Sequence, residues 1–171
     1  LTELSSGLGC ARVTLGFLER GAIRIKAVSH GSAPHTGGEL FRDIGDAMEE
    51  AVDQQRTLRV PADDDGAPAI VRAGLRLRAR LGGTVQTVPI GVDGEPVGAL
   101  CFEWDSTATV IPAAPAPLGH LVDLTGPVLF LMYRDACPGA VRIRESIGAA
   151  WRGLRGEQGK WPRRALLLLA A

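Results

Sequence analysis

From Val13 the chain alternates. Val13, Leu15 and Phe17 are separated by Thr14, Gly16 and Leu18, and after a break at Glu19-Arg20-Gly21 the pattern resumes as Ile23, Ile25 and Ala27 against Arg24, Lys26 and Val28. A period of two marks strands, so this stretch predicts a hairpin that turns at residues 19–21 and keeps one wet face at the sheet edge. The period then lengthens. In ELFRDIGDAMEEAVDQQ, Leu40, Ile44, Ala47, Met48, Ala51 and Val52 recur at steps of three and four, which predicts an amphipathic helix. A short strand at residues 58–60 is stopped by Pro61. In AIVRAGLRLRARLG, Ile70, Ala73, Leu77 and Leu81 share one helical face, with Arg72, Arg76, Arg78 and Arg80 largely elsewhere, and Gly82-Gly83 ends the helix.

The strongest strand signal is TVQTVPIGVDGEPVGALCFEW, two apolar runs joined through Asp93-Gly94, a pair that tolerates the positive φ of a tight hairpin. Pro89 and Pro96 cannot donate to a ladder and need bulges or edges. Leu118, Leu121, Leu124, Val128 and Leu131 then predict a long helix, in which Gly126-Pro127 should produce a kink or shift the start. Val141, Ile143, Ile147, Ala150, Trp151 and Leu154 lay out a further, basic amphipathic helix. No internal repeat of useful length is present.

The length of 171 residues accommodates one domain with its own core and a terminal extension. Lys plus Arg (19) balance Asp plus Glu (19), so there is no global positive field of the kind that draws a protein onto nucleic acid, and none is expected as a partner. The balance conceals a gradient: residues 43–65 are rich in acids, whereas residues 142–164 carry seven Lys/Arg against two Glu. Cys10, Cys101 and Cys137 are odd in number and widely spaced, which argues against a disulfide scaffold or a Cys-x-x-Cys site and predicts buried small apolar residues in a reducing cytoplasm. The start, LTELSSGLGC, lacks Met, a basic region and a long apolar run. It does not resemble a signal peptide, and the chain reads as an excerpt from a longer gene.

Candidate chemistry is thin. His30 and His35 flank a Gly/Pro-rich loop but lack a third ligand at metal spacing, so a solvated loop is the better reading and no metal site is assigned. Ser29 and Ser32 lie beside His30, yet no G-x-S-x-G elbow accompanies them, and no catalytic residue is assigned. The acids of ADDDG lack the alternate spacing and distant Glu of a calcium loop. HGSAPHTGG has neither phosphate-binding glycine spacing. His120, beside an apolar helix face, reads as a surface or capping residue.

The order hairpin, helix, helix, hairpin, long helix implies an α+β fold, an antiparallel sheet with helices packed on it. It resembles a GAF domain over residues 1–135, most specifically in TVQTVPIGVDGEPVGALCFEW, with its "PI", its acidic-glycine turn and Val97-Gly98-Ala99-Leu100 in the next strand. LGCARVTLGFLERGAIRIKAVSH is similar to the family's first hairpin, and Leu1 to Cys10 to the remnant of its first helix. The resemblance implies terminal helices on one face, a sensory or regulatory role, homodimerisation through those helices, and a small molecule held between the sheet and one layer of helices and loops. By topology the wall of that site would be Ser29, His30, Gly31, Phe41, Ile44, Ile70, Leu77, Thr87 and Phe102. No cofactor is named by it: the bilin-anchoring cysteine and the cyclic-nucleotide signature of some family members are missing. Two other readings stay open, a free methionine sulfoxide reductase-like enzyme and a dimerisation scaffold without ligand. For the first, Cys10 and Cys101 fall in strand or strand-edge positions where burial blunts a thiol.

Residues 136–171 are expected to form a basic amphipathic helix and a juxtamembrane tail ending KWPRRALLLLAA. A span needs about 20 apolar residues and the tail has seven, but Arg152, Arg155, Lys160, Arg163 and Arg164 precede them as cytoplasmic flanking charges would. The alternative is a soluble helix with a leucine-rich end. The arrangement is similar to the cytoplasmic N-terminal part of some bacterial membrane fusion (periplasmic adaptor) proteins of efflux or secretion systems. It implies work at the cytoplasmic face of the inner membrane, with an anchor following Ala171.

Overall fold

The computed structural model describes residues 1–30, 38–62, 68–108 and 116–136. Their elements, in order, are α1 (Thr2–Leu8), β1 (Arg12–Glu19), β2 (Ala22–Val28), α2 (Glu39–Asp53), β3 (Leu58–Val60), α3 (Arg72–Leu81), β4 (Thr84–Val92), β5 (Glu95–Trp104) and α4 (Ala116–Ala136). Both hairpins close through two residues, Arg20-Gly21 with φ 56° and 83° and Asp93-Gly94 with φ 52° and 82°. Paired positive φ values are what a twisted hairpin needs, and glycine supplies the second without steric cost.

All strand pairs are antiparallel, in the order β2-β1-β5-β4-β3. The register sorts side chains into two layers. Arg12, Thr14 and Gly16 of β1 lie opposite Glu103, Cys101 and Ala99 of β5, which in turn face Val85, Thr87 and Pro89 of β4. This face is covered by α2 and α3, whose Ile44, Ala47, Met48, Val52, Ala73 and Leu77 pack with Ile23, Val85, Ala99 and Cys101. Full burial of a side chain such as Ile44 or Met48 contributes about 1.5–3 kcal/mol. The opposite face carries Val13, Leu15, Phe17, Leu100 and Phe102. There α1 and α4 pack: Trp104 Nε1 donates to the Leu8 carbonyl at 3.1 Å, and the rings of Phe17 and Phe130 meet edge to face at 5.6 Å. The fold is thus α+β, with the terminal helices sharing one face.

The residues Leu1–Phe130 form one compact unit, and a second unit begins at Leu131. The basic helix and tail expected over 136–171 lie, except for Ala136, outside the described residues. Among the described residues no helix is long and apolar enough to cross a membrane.

Three sequence expectations change. β1 is buried on both faces rather than half-solvated, because it is an inner strand with helices on both sides; β2 is the edge, with Arg24 and Lys26 exposed. The second helix starts at Arg72, not before Ile70. The Gln54 side-chain amide takes both the N–H and the C=O of Ile70, at 3.0 and 2.7 Å, and the Glu50 carboxylate accepts from the amides of Ala73 and Gly74, which fixes the helix start. Finally, of the kink or shifted start expected at Gly126-Pro127, the shifted start does not occur: α4 runs from Ala116 through Pro127. The prolines in the late strands fall where a missing donor is tolerated. Pro89 lies beyond the last pair with β3, and Pro96 faces Gly91 at a register shift.

Candidate functional site

The N-terminal end of β1 and the C-terminal ends of β2 and β5 converge at one edge of the α2/α3 face. A cavity of about 400 Å³ opens there. Arg12, Ser29, His30, Glu103 and Asp105 supply its polar lining; Val28, Phe41 and Leu81 supply its apolar wall, and Ala11 and Trp104 complete it.

Its floor is an ion pair. Arg12 and Glu103 are register partners, and the guanidinium grips the carboxylate side-on, Nε to Oε1 at 2.9 Å and Nη2 to Oε2 at 2.5 Å. The Glu103 side chain is only 3% exposed, that of Arg12 24%. Burial pushes the Glu103 carboxyl above the ordinary carboxylate range, although the hydrogen bond and charge of Arg12 pull it down. The same hydrogen bond holds the Arg12 guanidinium more firmly protonated. Asp105 acts on both partners through its charge, raising each. Its own carboxylate is exposed and, among the described residues, makes no hydrogen bond or ion pair.

The rim is set by local backbone chemistry. Ser29 extends the β1–β2 ladder beyond Val28: its N–H donates to the Val13 carbonyl at 2.8 Å, and its hydroxyl accepts from the Val13 N–H at 2.9 Å. His30 follows in the left-handed region, φ 55°. The Ser5 hydroxyl donates its hydrogen to the Cys10 carbonyl at 2.8 Å and therefore accepts from His30 Nε2 at 3.1 Å. Nε2 is then a nitrogen that carries a hydrogen. On the far side, Gly83 presses onto the end of β5. A Cβ there would lie 1.8 Å from the Trp104 carbonyl oxygen, so only glycine permits the approach that seats Asp105.

The structure brings Ser29, His30 and Phe41 together around the cavity. Ile44 and Leu77 lie on the same side of the sheet but are fully buried in the core. Thr87 is buried too, its hydroxyl 3.8 Å from Cys101 Sγ, and Phe102 is on the opposite face, stacked on Trp104. Ile70 precedes α3 and is 62% exposed. Gly31, His35, Cys137 and most of the ADDDG run fall outside the described residues; His120 is exposed on α4. Arg12, Glu103, Asp105 and Leu81 were absent from the expected wall. The signal for Glu103 was present: it continues the inward parity of Ala99 and Cys101, and a carboxylate on a buried parity requires a partner.

The thiols are enclosed. Burial, helped by the Glu103 charge, pushes Cys10 up to about 12, and burial pushes Cys101 well above the ordinary thiol value. Among the described residues no cluster of His, Cys, Asp and Glu is arranged to hold a metal ion.

The GAF domain family model matches residues 1–113, and the chain belongs to that family. Among solved structures it is similar to a GAF domain/HD domain protein from Geobacter sulfurreducens, at 17% identity and TM-score 0.50 over 76% of this chain and 87% of that one. It is also similar to a type II free methionine-R-sulfoxide reductase from Thermoplasma acidophilum, at 17% identity and TM-score 0.45 over 72% and 82%. The GAF domain of a two-component sensor histidine kinase from Bacillus halodurans aligns at 17% identity and TM-score 0.42 over 71% and 82%. These likenesses concern the fold. No curated protein matches the chain.

Proposed function

We propose that the chain is a non-catalytic sensory or regulatory GAF module that binds a small ligand in the cavity floored by Arg12 and Glu103. It passes the bound state through its terminal helices to a membrane-anchored transport or signalling protein. The carrying observation is the cavity itself, where a buried ion pair and the exposed carboxylate of Asp105 meet an apolar wall of Phe41, Val28 and Leu81. Ligand sites combine apolar walls with a few placed polar groups in this way. A ligand acts on the helices only by binding one of their arrangements more tightly than another, and α1 touches the rim through Ser5 and His30.

A reductase is the second reading. It draws support from fold alone, and the burial of Cys10 and Cys101 weighs against it because the attacking species is the thiolate. A scaffold whose pocket is filled by its own side chains leaves the cavity unexplained. Homodimerisation is part of the first reading: on α4, Leu124, Val128 and Leu131 are exposed at the three- and four-residue steps of a coiled-coil seam, which an identical helix would cover.

An NMR screen of a fragment library against the folded protein tests the ligand role. Saturable shifts should cluster at the amides of Ser29, His30, Phe41 and Asp105; a screen that moves none of them would overturn it. Fractionation of the full-length protein tests the membrane role, which fails if the protein remains in the supernatant of washed membranes.

A further inference from the structure

The cavity's charges do not balance. Arg12 contributes one positive charge, and its Nε/Nη2 edge is committed to Glu103. Asp105 adds a second carboxylate that no described side chain hydrogen-bonds or pairs with, so among the described lining residues the fixed charges of Arg12, Glu103 and Asp105 sum to one negative. The hydrogen-bonding inventory leans the same way. Glu103 and Asp105 are acceptors, and His30 Nε2 is already taken by Ser5. An anionic ligand would meet a guanidinium already neutralised by Glu103 and a second carboxylate beside it. A cation with several N–H donors would complete both the charge and the hydrogen bonds, while its body covers Phe41 and Leu81.

We infer that the cavity between Arg12, Asp105 and Phe41 takes a small organic cation, a primary ammonium on an apolar body, with Asp105 as its charge partner. This rests on the cavity being the ligand site. Because Asp105 is at the mouth, added salt weakens the contact, and the apolar wall must supply the rest of the affinity.

Three probes of matched body separate charge from shape: phenethylamine, 3-phenylpropionate and 2-phenylethanol, titrated into the folded protein by amide NMR. Phenethylamine should shift Ser29, His30 and Asp105 saturably and bind more tightly than the other two. D105N, at an exposed position that does not threaten the fold, should bind it about tenfold more weakly, the loss of one charge-assisted contact, and should leave phenylethanol unchanged. If the carboxylate or the alcohol binds as tightly as the amine, or if D105N leaves the amine's affinity intact, the ligand class is wrong while the cavity reading stands. Silence from all three probes also overturns the inference, and the fragment screen then decides the cavity reading separately.

Discussion

Arg12 and Glu103 lie directly opposite each other on β1 and β5, and the arginine holds both oxygens of a carboxylate that is almost wholly out of water. Removing only the arginine strands a buried charge. R12L should lower unfolding stability by about 2–3 kcal/mol, at or below the usual range for a broken buried pair because Arg12 keeps some solvent contact. The R12L/E103L double variant should regain most of that loss. Urea unfolding of both variants checks this, and a double variant no more stable than R12L would count against it.

The raised Glu103 pKa makes a signed statement about pH. Between the ordinary glutamate value and the raised native one, the folded protein binds more protons than the unfolded chain, so this group's contribution to stability falls as pH rises through that window and is level above it. E103Q lacks the group. The stability of wild type relative to E103Q should therefore decline from acid toward neutral pH and then flatten. A difference that grows with pH would mean that Arg12 outweighs burial.

The start of α3 depends on a side chain from another helix. Its own N-cap, Val71, offers no side-chain hydrogen bond, and the Glu50 carboxylate of α2 receives the Ala73 and Gly74 amides instead. E50A should cost about 1 kcal/mol, as loss of a cap does, and E50Q, which keeps an acceptor oxygen, should cost less. Thermal unfolding of the two variants measures the difference.

The same contact explains what could be read in advance and what could not. Periods of two and near 3.6 in Val13 to Val28 and in Leu40 to Val52 are local signals, and the first hairpin and α2 follow from them. Asp93-Gly94 announced its turn through backbone preference. The first turn of α3 is fixed by Glu50 and Gln54, distant in sequence, so its apolar pattern extends past its real start to Ile70. The site was half legible for a related reason. Ser29, His30 and Phe41 are near one another whenever the hairpin packs on α2, but Arg12 and Glu103 meet only through the β1–β5 pairing, and local sequence cannot announce a register.

Thiol accessibility separates the two functional readings. In the folded protein Cys10 and Cys101 should resist iodoacetamide, since both are buried and their thiolates disfavoured. Both should label in denaturant. Peptide mapping by mass spectrometry reports each site, and prompt labelling of either in the native state would revive the reductase reading.

The exposed seam of α4 predicts an oligomeric state. L124E/V128E places charges at two exposed positions, so the monomer fold should tolerate it while self-association weakens at least tenfold by sedimentation equilibrium. An unchanged distribution would remove α4 as the contact.

Ser5 occupies the second turn of α1, fully buried, and its one hydroxyl serves two masters: a carbonyl of the connection to β1 and the imidazole at the cavity rim. Thr2 adds a second tether, through the His30 backbone amide. Helix α1 therefore holds a lining residue of the cavity in place. A fusion tag, a trimmed boundary or a stabilising peptide placed ahead of Thr2 edits the aim of His30, and binding data from differently bounded versions of this domain will differ for that reason alone.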